Sequence, residues 1–254
     1  MMRVTSPFRT RLAQTATDLR AAQALRYRVF VAELGADGPS VDHAAQVEID
    51  DRDGHADHLL LEDLSLPGSP VVGVYRIMSQ AQARAAGGFA TAQAFDLTPL
   101  VHAGRPLLEL GRSCLLPAYR GGPAMMHLFA GLARLMAGQP DPILFGLASF
   151  HGTNTAALAA PLSYLQTYHL APPALRVRVV GSGTRYGHAA DRPDRKVALR
   201  QMPPLIKAYL RLGGVVGDGV CVDAAFNTTD VCMILDAAAL TADRRMRLTA
   251  ATVR

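Results

Sequence analysis

With 254 residues, half of them apolar, the chain is long enough for one large domain or two small ones with a substantial core. Trp is absent and aromatics make up only 6% of the sequence, which leaves a nucleic-acid stacking platform little material and argues against a nucleic-acid partner. The net charge is +5, and Lys196 and Lys207 are the only lysines; every other cation is an arginine, whose fork suits carboxylates and phosphates. Codon bias toward Arg and Ala explains that composition equally well, yet a basic surface still permits docking of an acidic protein or an anionic membrane.

Cys114, Cys221 and Cys232 have no metal-ligand spacing and are odd in number, so the chain reads as reduced and cytoplasmic. The N-terminal twenty residues carry cations but no continuous apolar run, so no secretory signal is expected there. No stretch approaches the ~18 uninterrupted apolar residues of a membrane span.

In chain order, Leu19, Ala22, Leu25, Val29 and Phe30 predict one helix over about 15–34, ended by Gly35, Gly38 and Pro39. VEIDDRDGHADH, 47–58, reads as a polar loop. Strands are expected over 58–64, 71–79 and 107–116, with PGSP as the turn between the first two. PAYRGGPA opens a helix running to about 137, and PILFGLAS forms a buried strand. HGTN at 151–154 ends that strand, with Thr153 or Asn154 as an N-cap. A helix that Pro161 starts or kinks comes next, then a strand in LRVRVVGS. PPLIKAYLRLGG is a helix with Pro at its start and Gly at its end, followed by strands in VCVDAAF and DVCMILD. Strands in meander order followed by alternating strands and helices imply a mixed α/β sheet.

Spaced charges then align along the chain: Arg26 and Phe30 in LRYRVF, Asp50 and Asp53 in EIDDRD, Arg76 in VVGVYR, and Glu109 with Arg112 in LELGR. Over residues 20–150 this pattern resembles the acyl-homoserine-lactone synthases, a branch of the GNAT-type acyltransferase fold. A closer resemblance spans nearly the whole chain. LELGRSCLLPAYRGG together with the later PPLIKAYLRLG and FNTTDVCMILD is similar to the bacterial ornithine N-acyltransferases; the homoserine-lactone synthases are expected to lack this second half, which makes them the poorer match. The resemblance implies a GNAT-like α/β fold with a mixed central sheet, flanking helices and a C-terminal extension. It implies one domain over 1–254, with a core at about 15–182 and an extension at about 183–254 that completes the substrate site. It implies transfer of a 3-hydroxyacyl group from acyl carrier protein to the α-amine of L-ornithine, giving lyso-ornithine lipid. The co-substrate would be the phosphopantetheine thioester of the carrier, with no bound cofactor and no metal.

The chemistry needs a neutral amine and donors for the oxyanion of the tetrahedral intermediate. Glu109 is the candidate base, against the simpler reading that it pairs with Arg112 or Arg76 as a buried ion pair. In a regular strand Glu109 and Arg112 face opposite sides, so sharing a cleft requires a bulge, expected at Gly111. Arg26, Phe30 and Arg76 are expected to shape the donor site. Asp50 and Asp53 form either a solvated acidic loop or a grip on ornithine's ammonium groups; His55, Asp57 and His58 nearby fit no standard ligand set. Tyr119, Arg120, Gly121, Gly122 and Ala124 occupy the register of the GNAT pyrophosphate loop, with Tyr119 departing from the usual Gln or Arg. That suits the single phosphodiester of a carrier arm. Cys114, in an apolar strand with no neighbouring His, is a weak candidate for a ping-pong nucleophile. The rival functions are the same reaction on glutamine or another amino acid, a homoserine-lactone synthase, and a non-catalytic module binding carrier protein or membrane. A lipid product adds peripheral contact with the inner membrane face to the expectation.

Overall fold

The computed structural model describes residues 6–137, 139–181, 183–184 and 193–240. After strand β1 (Phe8–Leu12), the Thr15 hydroxyl accepts from the Asp18 amide while the Asp18 carboxylate accepts from the Thr15 amide, and this capping box starts α1 (Ala16–Arg26). The single long helix expected here changes character: α1 widens into a π-helix over Tyr27–Glu33, and Gly35 ends it at φ 77°. Its apolar face is as read from the sequence, with Ala22, Leu25 and Val29 packed on Leu60, Val74 and Cys114, and Phe30 alongside.

Short strands β2 (Val41–Asp42) and β3 (Val47–Glu48) pair with each other ahead of β4 (Asp57–Asp63) and β5 (Val71–Ser79). The chain continues through α2 (Gln80–Ala85), β6 (Phe95–Asp96), α3 (Thr98–His102), β7 (Leu107–Leu115), α4 (Ala124–Met136) and β8 (Ile143–His151). It then forms α5 (Ala159–Tyr168), β9 (Arg178–Val179), α6 (Arg195–Gln201), α7 (Pro204–Leu212), β10 (Val215–Val216), β11 (Cys221–Asp223) and β12 (Thr228–Asp236). Pro161 lies in the first turn of α5, where a missing N–H costs nothing, and Asn154 accepts from the amides of Ala156 and Ala157 just ahead of it. Gly213, at φ 94°, closes α7. The strand expected in LRVRVVGS is limited to Arg178–Val179, which pairs with the two-residue β6 and, through a single bridge, with Asp218.

Two compact units result, one from the chain through Met78 with Leu110–Gln139, the other from Ser79–Glu109 with Pro140–Leu240. Strand β7 contributes to both, with Leu107–Glu109 in the second unit and Leu110–Leu115 in the first. In the first unit the strand order is β1-β4-β5-β7, antiparallel at β1/β4 and β4/β5. Helix α4 lies close against it: a Cβ on Gly131 would come within 3.0 Å of both Leu59 Cδ2 and Thr10 Oγ1, so glycine is what permits the approach.

In the second unit the order is β7-β8-β12-β10, with β11 also on β12. Strands β7 and β8 are parallel through Leu107↔Ile143, Leu108↔Leu144 and Glu109↔Phe145, while β8 and β12 are antiparallel from Thr228↔His151 to Asp236↔Ile143. The sheet is therefore mixed, as expected. Phe95, Leu100, Leu107, Ile143, Phe145, Val177 and Ile234 form this unit's core. The segment expected as a C-terminal extension supplies β12, which pairs along the whole of β8; residues 185–192 and 241–254 of that extension lie outside the described residues. Among the described residues no helix is long and apolar enough to cross a membrane.

Candidate active site

In the first unit, three arginines and three carboxylates from four segments interlock. Arg26, at the end of α1 and fully buried, places Nη1 2.8 Å and Nη2 2.6 Å from the two Asp53 oxygens and Nε 2.5 Å from Glu48 Oε2. Arg76 on β5 reaches Asp50 at 2.8 Å and Asp53 at 3.5 Å. Arg112 on β7 donates Nε to Glu48 at 3.1 Å and Nη2 to Asp50 at 2.6 Å. The polar loop of the sequence is only partly solvated: Asp51, His55 and Asp57 are exposed, but Glu48, Asp53 and His58 are buried, because three guanidinium groups neutralise the carboxylates that burial would otherwise penalise. Gln23 adds a bond to Asp53, and the neutral His58 ring donates Nε2–H to the Asp53 carbonyl.

Charge states follow from this packing. Burial works against the Asp53 carboxylate, but hydrogen bonds and charge from Arg26 overcome it and hold Asp53 well below the usual carboxylate range. Asp50 is lowered in the same way, burial being outweighed by Arg112 and Arg76. Arg76 is pulled down by burial and by its neighbours Arg112 and Arg26, against Asp50 and Asp53. Burial also lowers His58.

Glu48 escaped the sequence reading. It is the acid that joins Arg26 to Arg112, and its only sequence signal is alternation with Asp50 in V-E-I-D. Arg112 is the most open of the three arginines, its side chain 22% exposed against 2% for Arg76. Strand β7 is irregular, as the sequence argument required, but one residue later than expected: Arg112 itself takes φ 50°, in the left-handed region. Holding a non-glycine residue there costs of order 1–3 kcal/mol, which the two ion pairs of Arg112 offset. Gly111 leaves room beside the network, since a Cβ there would meet Arg76 Nη2 at 3.7 Å.

In the second unit, Glu109 is 3% exposed. Its Oε1 accepts from the Thr91 amide at 2.6 Å and its Oε2 from the Ala90 amide at 3.1 Å, at the start of a 3-10 turn over Ala90–Gln93. The carboxylate is aimed by backbone donors alone.

The loop from Tyr119 to Ala124 is built differently from a simple phosphate cradle. Tyr119 donates its hydroxyl to Asp63 at 2.8 Å, and Arg120 holds Glu33 with both terminal nitrogens while its Nε donates to the Leu115 carbonyl. Gly121 takes φ 74°, and α4 then starts from Pro123 with no side-chain cap, so its first amides face outward at the positive end of the helix dipole.

Cys114 is buried, and burial pushes its thiol up to about 12, so it is protonated at neutral pH and unsuited to nucleophilic attack. Alkylation of the native protein should therefore label Cys221, which is half-buried, and spare Cys114 and Cys232; peptide mass spectrometry checks this, and rapid labelling of Cys114 would return it to consideration. Among the described residues no group of three or more His, Cys, Asp or Glu side chains is arranged to hold a metal ion.

A family model described as an acetyltransferase (GNAT) domain matches residues 25–130, the span that holds every candidate residue from Arg26 to Ala124. An L-ornithine N(alpha)-acyltransferase of Rhodobacter capsulatus is 47% identical over 241 residues, covering 94% of this chain and 93% of the relative. Its counterpart in Brucella abortus is 41% identical over 235 residues, covering 89% and 83%. Among solved structures, the AHL synthase LasI aligns with a TM-score of 0.51 at 14% identity, covering 96% of this chain and 95% of that one. The likeness in fold continues through the second half of the chain, where the sequences had suggested that the two part.

Proposed function

The chain belongs to the L-ornithine N(alpha)-acyltransferase family, and from that membership we propose that it transfers a 3-hydroxyacyl group from acyl carrier protein to the α-amine of L-ornithine. The observation that carries this reading is 47% identity sustained over 94% of the chain. The product, lyso-ornithine lipid, is amphipathic, so its release is read as occurring near the inner face of the cytoplasmic membrane.

The α-amine must lose a proton to attack the thioester carbonyl. In this reading Glu109 takes that proton, directly or through one water, as the C–N bond forms. The oxyanion of the tetrahedral intermediate is met by backbone N–H groups near Ser113–Leu115. Collapse restores the carbonyl, breaks the C–S bond, and expels the carrier's thiolate, which takes up the proton. Arg112 is assigned to substrate contact because it is the most exposed guanidinium of the network. Asp50, Asp53 and Glu48 hold Arg112 and Arg76 in place; a direct grip on ornithine by Asp53 is less economical, since both its oxygens already serve Arg26. Phe30, packed beside α1's buried face, is assigned to the acyl donor. The uncapped first turn of α4, after Gly121 and Gly122, suits the single phosphodiester of the phosphopantetheine arm.

Incubating the purified protein with 3-hydroxyacyl-acyl carrier protein and a panel of amino acids should yield acylornithine by mass spectrometry. Product with glutamine alone would transfer the assignment to that acceptor. No acylated amino acid at all would overturn the reading.

A further inference from the structure

We propose that α6 and α7 form the docking surface for the acidic carrier protein; this rests on the carrier-dependent reading above. The segment from Pro193 to Val216 carries Arg195, Lys196, Arg200, Lys207 and Arg211 against a single acid, Asp194, and includes the only two lysines of the chain. Arg195, Lys196, Arg200 and Arg211 are exposed and Lys207 is half-buried. Asp194 is occupied as the N-cap of α6, accepting from the amides of Lys196 and Val197.

The arrangement works against the stability of the helices that carry it. Lys196 and Arg200 on α6, and Lys207 and Arg211 on α7, are like-charge pairs at i,i+4, which destabilise a helix. Arg195 and Lys196 also sit at the positive end of the α6 dipole, where acids are favoured. Among the described residues none of the five cations forms a salt bridge, in contrast to Arg9, Arg11, Arg26, Arg76, Arg112 and Arg120, each of which holds a carboxylate. Other exposed, unbridged arginines, such as Arg20, Arg28 and Arg84, stand singly. On each of two successive helices, a ridge of unneutralised cations at i,i+4 spacing calls for an anionic partner.

The choice of an acidic protein over an anionic bilayer comes from the apolar residues. A helix lying in a membrane interface presents large hydrophobic groups to the lipid. Here Ala198 of α6 and Ile206, Tyr209 and Leu212 of α7 are buried, and no large hydrophobic on either helix is exposed. Val197 and Leu199 of α6 and Leu205 and Leu210 of α7 are half-buried, so the groups standing fully exposed on these elements are chiefly cations, the complement of an acidic helical surface. Both helices belong to the unit that holds Glu109.

The test uses two charge-reversal variants of the full chain, Lys196→Glu/Arg200→Glu and Lys207→Glu/Arg211→Glu, with Arg84→Glu as a control and thermal melts to verify folding. Binding of holo-acyl carrier protein is followed by fluorescence anisotropy and turnover by acylornithine formation. Each pair should raise the carrier Kd and the KM for the acyl-carrier donor about 10-fold or more at low salt, leave kcat unchanged, and converge on wild type as salt screens the surface. An unchanged Kd in a folded pair, an equal loss in Arg84→Glu, or failure of the wild type to bind the carrier would overturn the proposal. So would loss of co-sedimentation with phosphatidylglycerol vesicles while carrier binding persists, which would identify the ridge as a membrane contact. Carrier binding with the expected dependence but no acylornithine would sink the ornithine reading and leave the docking surface standing.

Discussion

Replacement of Glu109 by Gln is expected to lower kcat by roughly 10²-fold or more if this carboxylate takes the amine proton. The structure also predicts a second effect of the same substitution. Both oxygens of Glu109 accept backbone amides, from Thr91 and Ala90. A glutamine turns its NH2 toward one of those donors and leaves that contact unmade, at a cost of about 1–3 kcal/mol in a buried site. The two effects separate experimentally. Loss of the base lowers kcat and persists at low temperature, where the protein is fully folded. Loss of the anchor alone lowers the melting temperature and raises KM with kcat preserved. Glu109→Asp keeps a carboxylate and should retain part of the turnover that Glu109→Gln loses. Wild-type kcat in folded Glu109→Gln would return the residue to a structural role.

Arg26→Met should be the most destabilising single change in the ionic network, by about 3–5 kcal/mol, because it leaves Glu48 and Asp53 buried without their shared cation. Methionine fills much of the volume, so the loss reflects charge rather than a cavity. Urea unfolding at neutral pH measures it, and a loss below about 1 kcal/mol would mean that Arg76 alone suffices for Asp53. The acid dependence carries an independent sign. Asp53 and Asp50 have lowered values in the folded protein. Their contribution is therefore complete above the ordinary carboxylate value of about 3.9 and is lost as pH falls below it toward the folded values. Wild-type stability should decline steeply across that acidic window, and Arg26→Met should decline less, since less depression remains to be lost.

Local chemistry was legible where one segment decides the outcome. Strand β5 runs from Val71 to Ser79 as the apolar run predicts, and the turn at PGSP separates it from β4. Gly213 ends α7 where a left-handed residue is needed. The expected irregularity next to Gly111 exists, displaced to Arg112. The 47–58 segment was misjudged because charge density in a short stretch looks the same whether water or arginine neutralises it. Glu48 illustrates the gap: its partners, Arg26 and Arg112, lie 22 and 64 residues away. Glu109 illustrates another, because its partners are main-chain amides of Ala90 and Thr91 that no side-chain pattern announces.

By itself, then, the sequence determined the periodicities and turns that set β4, β5, β7, α4, β8 and α7. Those depend on contacts within a few residues, where propensity, capping and alternation act directly. Only the tertiary structure decided which acid meets which base. That choice depends on bringing α1, the 48–53 segment, β5 and β7 within hydrogen-bond reach in a site dry enough for pairing to outweigh desolvation. Glu109 and Arg112 began as neighbours in one apolar run. Folding gives the first to backbone amides and the second to Glu48 and Asp50.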